Sequence, residues 1–238
     1  MVPWRELGRA KLSSGELVLA RRGDEFAIRL RGAELMNSRS HASEEQLARL
    51  GCAHIGNTPA PRVMIGGLGM GFTLRAALDA LPRDAQVTLV ELVPDVVAWN
   101  REHLGDLARR PLDDPRVKIR MGDVAQVIAE HQEHWHAILL DVDNGPDAFT
   151  APGNQALYGL KGLIAARKAL VPGGVFGVWS VERDSKFTDR LKAAAFEVDI
   201  QRVPARPNST VKHVIWIGRR SMPSPAKQQA EHAKRQKR

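Results

Sequence analysis

The sequence predicts an α/β fold: a mainly parallel seven-stranded sheet with helices on both faces, an antiparallel C-terminal edge, and a small N-terminal β-hairpin. Three observations predict it. From Arg62 onward, short apolar runs and helix-period stretches take turns, the pattern left by helices crossing over a parallel sheet. The first run, Val63-Met64-Ile65, leads directly into a glycine-rich turn, Gly66-Gly67-Leu68-Gly69-Met70-Gly71, and folds of this kind bind ligands at such turns. The last two runs are joined only by the short, non-helical stretch Val203 to Thr210, which suits an antiparallel pair.

In chain order, Glu16 to Arg31 alternates apolar and polar residues on either side of a turn at Gly23, and reads as a hairpin. A short helix is expected from Ser43, where acids follow a serine and Gly51 supplies a stop. Strands are expected at Val63–Ile65, Gln86–Glu91, Val117–Arg120, Ala137–Asp141, Val175–Ser180, Val198–Arg202 and Val211–Ile217. Helices are expected at Phe72–Leu81, Pro94–His103, Val124–His131, Gln155–Leu170 and Ser185–Ala195, the second with its proline in a first helical turn. Five strand-helix units followed by a terminal hairpin describe the class I S-adenosylmethionine-dependent methyltransferase version of the Rossmann-like fold. The expected organisation is residues 1–56 as hairpin and short helix, 57–218 as the nucleotide-binding catalytic domain, and 219–238 as a basic, disordered tail.

Composition narrows the function classes. With 43% hydrophobic and 26% charged residues the chain is an ordinary globular one. It has no run of eighteen apolar residues and no secretory-type N-terminus, so neither a membrane span nor export is expected. The single Cys52 offers no internal disulfide and fits the cytoplasm. Of the net charge of +8, seven bases against one acid between Arg219 and Arg238 supply +6. Nucleic-acid binding is therefore expected only through that tail, which lacks interleaved aromatics for base stacking.

In open α/β sheets ligands sit at the carboxyl ends of the strands, where the strand order reverses. That rule singles out Gly66, Gly67, Gly69 and Gly71 after the first strand, Glu91 ending the second, Asp123 after the third, and Asp141, Asp143 and Asp147 after the fourth. Glycines let the backbone approach a ligand and present N–H groups at a helix start. Glu91 follows Gly71 by 20 residues, a separation suited to an acid that grips ribose hydroxyls. The glycine spacing disfavours a dinucleotide, since the third glycine comes one residue early for Gly-x-Gly-x-x-Gly. His131, His134 and His136 form a cluster before the fourth strand, on the wrong side of the sheet for this site, and no metal is expected.

From about Glu16 to about Ile217 the chain resembles the spermidine synthase (polyamine aminopropyltransferase) family. The resemblance is carried by the glycine turn, by Glu91 in LVELVPDVV, by Asp114-Pro115-Arg116-Val117 and Gly122-Asp123, and by Asp141-Val142-Asp143-Asn144-Gly145. It implies ribose binding by Glu91, adenine binding by Asp123 with Val124 beside the ring, and a catalytic role for Asp141, with Asp143 and Tyr158 as further catalytic positions. Glu182 falls on an acid after the fifth strand. The implied co-substrate is decarboxylated S-adenosylmethionine or S-adenosylmethionine, the acceptor a polyamine, and the assembly a homodimer.

Two departures concern substrate selection. Gly69 stands where the family carries an aspartate that holds the terminal amine of the decarboxylated nucleotide, and the family's Tyr-Gln pair is replaced by Ser43-Glu44. Aminopropyl transfer needs carboxylates for the cationic ends of both substrates, and Asp141, Asp143 and Asp147 with Glu44 and Glu182 still provide an acidic mouth. The same fold also admits a methyltransferase acting on a small molecule or nucleic acid, and a catalytically silent nucleotide- or polyamine-binding homologue.

Overall fold

The computed structural model describes residues 2–142 and 157–222. Asp143, Asn144 and Asp147, named above, lie outside the described residues, as does the tail beyond Met222. The expected hairpin is the centre of a larger unit: β1 (Arg5–Leu12), β2 (Gly15–Arg22), β3 (Glu25–Leu30) and β4 (Ala33–Asn37) form a four-stranded antiparallel meander. The outer two strands have poor alternation and owe their place to tertiary packing. A Cβ on Gly8 of β1 would meet the Trp99 indole at 2.3 Å, so the glycine lets this strand lie against the ring.

The main sheet has the order β10-β11-β9-β8-β5-β6-β7. Its strands are β5 (Arg62–Gly66), β6 (Gln86–Glu91), β7 (Val117–Met121), β8 (Trp135–Leu140), β9 (Leu170–Ser180), β10 (Phe196–Pro204) and β11 (Lys212–Arg220). Strands β7, β6, β5, β8 and β9 run parallel, and β11 is antiparallel to both β9 and β10. The expected fold class is the observed one. The last strand runs through Arg220, two residues past the expected tail boundary, because Arg220 is anchored by Glu133 and the Leu170 carbonyl.

The pleat divides the core. Val63, Ile65, Leu89 and Leu139 face one side with the N-terminal sheet, α1 (Ala42–Cys52), α2 (Phe72–Ala80) and α3 (Pro94–Trp99). Met64, Val90, Ile138 and Leu140 face the other with α4 (Val124–Ala129), α5 (Leu160–Ala169) and α6 (Ser185–Ala193). Each fully buried aliphatic side chain here contributes about 1.5–3 kcal/mol. Gly51 does not stop α1, which runs on to Cys52. It lets the helix approach the sheet, since a Cβ there would sit 2.3 Å from Leu139 Cδ2.

The order reverses at β5, which pairs β6 on one side and β8 on the other. The carboxyl ends of these three strands open toward the concave face of the N-terminal meander. Leu17, Ile28 and Leu30 project from it over the glycine turn and wall off a cavity.

Candidate active site

Two cavities meet at Asp141. The first, of about 560 Å³, lies between the meander and the ends of β5, β6 and β7, and is lined by Gly67, Gly69, Glu91, Asp123, Val124 and Asp141 among others. The second, of about 420 Å³, is lined by Glu44, Met70, Trp179, His213 and again Gly69 and Asp141. Leu35 and Met36 border both. The structure thus brings together residues expected at four strand ends. Gly66 and Gly71 flank the loop rather than line the cavities: Gly66 ends β5 and Gly71 caps α2.

Hydrogen bonds fix the glycine loop from three directions. Glu91, buried at the end of β6, accepts from the Leu68 N–H through Oε2 (2.8 Å) and from Leu92 and Val93 through Oε1 (2.8 and 2.9 Å). Asn100 donates from Nδ2 to the Gly69 carbonyl (2.8 Å) and to that of Val96 (2.9 Å). The Gly67 and Asp141 N–H groups bond to Val90 and Gly66, stitching the loop to both neighbouring strands. Glu91 thus holds the loop from the end of β6, with both carboxylate oxygens engaged by backbone N–H groups.

Asn100 is one residue that the sequence reading missed. The expected helix Pro94–His103 is an α-helix only to Trp99; from Asn100 to Leu104 it widens into a π-turn, a device common near functional sites. The available signal was an asparagine at helical spacing from Val96, Val97 and Leu104, on an otherwise apolar face.

Asp123 is the N-cap of α4: Oδ1 accepts from the Ala125 N–H at 2.7 Å. Its other oxygen has no partner among the described residues. Val124 is packed tightly enough that a Cβ on Gly66 would meet it at 2.8 Å.

Asp141 follows β8 and accepts from the Thr73 hydroxyl at 2.5 Å. Thr73 is buried in the first turn of α2, and its hydroxyl also stands 3.3 Å from the Glu44 carbonyl oxygen. Loss of solvent pushes the Asp141 carboxyl up to about 6. Burial, and then the nearby Asp141 charge, push Glu44 up to about 8. Burial disfavours charge on both acids and each disfavours charge on the other, so the pair holds on to a proton more strongly than free carboxyls do.

Other expectations fall elsewhere. Tyr158 is fully buried in the second core, edge-on to Phe187 at 5.6 Å, and lines neither cavity; the apolar packing claims its ring. Glu182 is exposed and also lines neither. His213 borders the second cavity and bonds to Ser43. Among the clustered histidines at the amino end of the sheet, His136 accepts from the Arg62 N–H.

Comparison with known proteins adds the family. A model of the spermine/spermidine synthase domain matches residues 41–197. The chain belongs to the spermine/spermidine synthase domain family. Its curated relatives include the polyamine aminopropyltransferase of Synechococcus sp., 34% identical over 89 residues, which are 36% of this chain and 28% of that protein. Another, from Korarchaeum cryptofilum, is 31% identical over 116 residues, 48% of this chain and 33% of that one. The alignments thus span about a third of the length of these relatives. The fold of this family member is shared with spermidine synthase from Thermotoga maritima, at a TM-score of 0.71 and 19% identity, covering 92% of this chain and 74% of that one. It is shared also with a spermidine synthase in complex with the transition-state analogue AdoDATO, at a TM-score of 0.74 and 19% identity, covering 92% and 75%.

Proposed function

We propose that the protein transfers an aminopropyl group from decarboxylated S-adenosylmethionine to a polyamine. The observation that carries this reading is the junction of two cavities at an acid pair. One cavity has the loop, the strand-end acid and the capped aspartate suited to an adenosyl group. The other has apolar walls, including Met70 and Trp179, with Glu44 and Asp141 where they meet, and this suits an aliphatic chain ending in a cation. The curated relatives are polyamine aminopropyltransferases, and a structural neighbour holds a transition-state analogue.

In this reading the acceptor nitrogen, stripped of a proton, attacks the methylene carbon beside the sulfonium. The N–C bond forms as the C–S bond breaks, and the electron pair passes to sulfur. Asp141 orients the amine and takes its proton, while positioning and electrostatics supply most of the rate because the sulfonium is already activated. Cytoplasmic location fits the buried, unpaired Cys52. Among the described residues no helix is long and apolar enough to cross a membrane.

Calorimetry tests the donor. Decarboxylated S-adenosylmethionine should bind more tightly than S-adenosylmethionine, and the reverse preference would sink the proposal in favour of methyl transfer. Gly69→Asp sharpens the comparison. At φ +51 the position is left-handed, which aspartate tolerates better than most residues. An added Cβ meets only Met36, with Sδ at 3.2 Å, a flexible tip that can yield. The variant should raise the preference for the decarboxylated nucleotide by roughly tenfold or more, the scale of one charge-assisted hydrogen bond. An unchanged ratio would show that this position does not face the nucleotide's tail.

The raised acids make a further, signed prediction. A bound cation favours the ionised pair, so binding lowers the pair's proton affinity and releases a proton where the free pair still holds one, from about pH 6 to about pH 8. Affinity for a polyamine should therefore rise with pH across that window. Binding heats in two buffers of different ionisation enthalpy should differ at pH 7 and converge above pH 9. Identical heats at pH 7 would show that the pair does not face the cation.

A further inference from the structure

Ser43 lies in the first turn of α1 with its side chain fully out of solvent. Its hydroxyl oxygen stands 2.5 Å from Glu44 Oε2 and 2.8 Å from His213 Nδ1, and so joins an acid of the junction to a histidine on the antiparallel edge. This is not a nucleophile triad. The acid bonds the serine rather than the histidine, and the serine cannot be reached. What it can do is pass a proton.

A hydroxyl carries one hydrogen, so its two neighbours constrain each other. When Glu44 is ionised, Ser43 donates to Oε2 and His213 must donate its Nδ1–H to Ser43. When Oε2 carries a proton, Glu44 donates to Ser43 and Ser43 donates to the Nδ1 lone pair, leaving the imidazole proton on Nε2. A shift between the two arrangements moves one proton from Glu44 to the ring without moving a heavy atom.

Resting on the aminopropyl-transfer reading, we propose that Ser43 and His213 are a proton relay that drains the acceptor's proton from the Asp141–Glu44 pair to the second cavity. The reaction needs such an outlet. An ammonium and a sulfonium become a secondary ammonium, a neutral thioether and one free proton. That proton passes to the acid pair. Glu44 then gives a proton to Ser43, Ser43 gives its own to His213 Nδ1, and the resulting imidazolium releases its Nε2 proton to water. Between turnovers the half-buried ring swings off Ser43, exchanges its Nδ1 proton with water of the cavity, and returns as the Nε2–H tautomer.

His213 suits the terminal place. It is half-buried, lines the cavity, and lies edge-on to Trp179 at 4.9 Å. Burial lowers its proton affinity, so it gives the proton up readily. Among the described residues, the charged groups around that cavity are Glu34, Glu44, Asp141 and Arg206, and Lys212 precedes His213 on β11. The family's Tyr-Gln pair, which Ser43-Glu44 replaces, contains no acid to start such a chain.

Nitrogen NMR of the histidine-labelled full chain tests the relay apart from turnover. At pH 7 His213 should be the Nε2–H tautomer, and it should shift to Nδ1–H as pH rises through about 8, where Glu44 ionises. Glu44→Gln, which has no proton to lose, should abolish the shift of tautomer with pH, and Ser43→Ala should disconnect the ring from Glu44. A tautomer indifferent to pH and to Glu44→Gln overturns the relay. In the aminopropyl-transfer assay, Ser43→Ala should lower kcat about tenfold with both KM values unchanged, and should alter the solvent isotope effect. A tautomer that follows Glu44 in a protein transferring no aminopropyl group supports the relay and overturns only the substrate reading beneath it. Normal kcat and isotope effect in Ser43→Ala overturn the relay even if the tautomer shifts.

Discussion

Asp141→Asn is expected to lower the rate of methylthioadenosine release by about 10²- to 10⁴-fold, the range for a lost general base, while leaving the fold intact. The substitution is isosteric, and the asparagine carbonyl oxygen can still accept from Thr73, whose hydroxyl donates to the wild-type carboxylate. The loss should therefore appear in kcat and not in melting temperature. The wild-type enzyme should show an acidic limb of matching origin. Its carboxyl is raised to about 6 by burial, so activity should climb with pH through that value as the base ionises, and the variant should lose the limb. Activity within threefold of wild type, with the limb preserved, would remove Asp141 from the chemistry.

The sheet was legible because its strands leave strong local marks. Val63, Met64 and Ile65 form a run buried on both faces, and the acids at the ends of β6 and β8 sit where an open sheet places ligands. The meander's outer strands were not legible. RELGRAKL and AELMN lack clean alternation, and β1 depends on a glycine approaching Trp99 across the fold. The side to which His213 faces was not legible for a related reason. Residues Val214 to Ile217 after it are all buried, so the strand loses the period-2 pattern that would tell which way a neighbouring side chain faces. Glu44 and Asp141 lie on α1 and after β8, with no local signal of their proximity. Only the closing of α1 over the sheet brings them close enough for one charge to raise the other's proton affinity. Tyr158 shows the converse: a position carried over by resemblance, while the packing of Phe187 around it directs the ring into the core.

Gly67→Ala should be the most damaging single methyl group that can be added to the molecule's ligand-binding loop. Gly67 has φ +87, and a Cβ there would lie 2.2 Å from the Asp141 carbonyl oxygen. The obstacle is backbone, not a flexible tip, and it belongs to Asp141, the residue proposed as the base. The left-handed conformation costs an alanine about 1–2 kcal/mol, and overpacking against a fixed chain adds about 1–3 kcal/mol. A destabilisation on the order of 3 kcal/mol should result, with activity falling further than stability because relief of the clash pushes Asp141 out of line. Gly23→Ala separates the two causes. Gly23 also has a left-handed φ, +59, but nothing lies within 4 Å of its added Cβ, so it should lose only the conformational share. Equal losses in melting temperature for the two variants would show that the loop can yield, and that the close approach of Gly67 to Asp141 does not hold the site in register. A much larger loss at Gly67, with the cooperative unfolding of the rest of the chain preserved, would show that the first glycine turn and the fourth strand end are one rigid unit. On that unit both cavities depend.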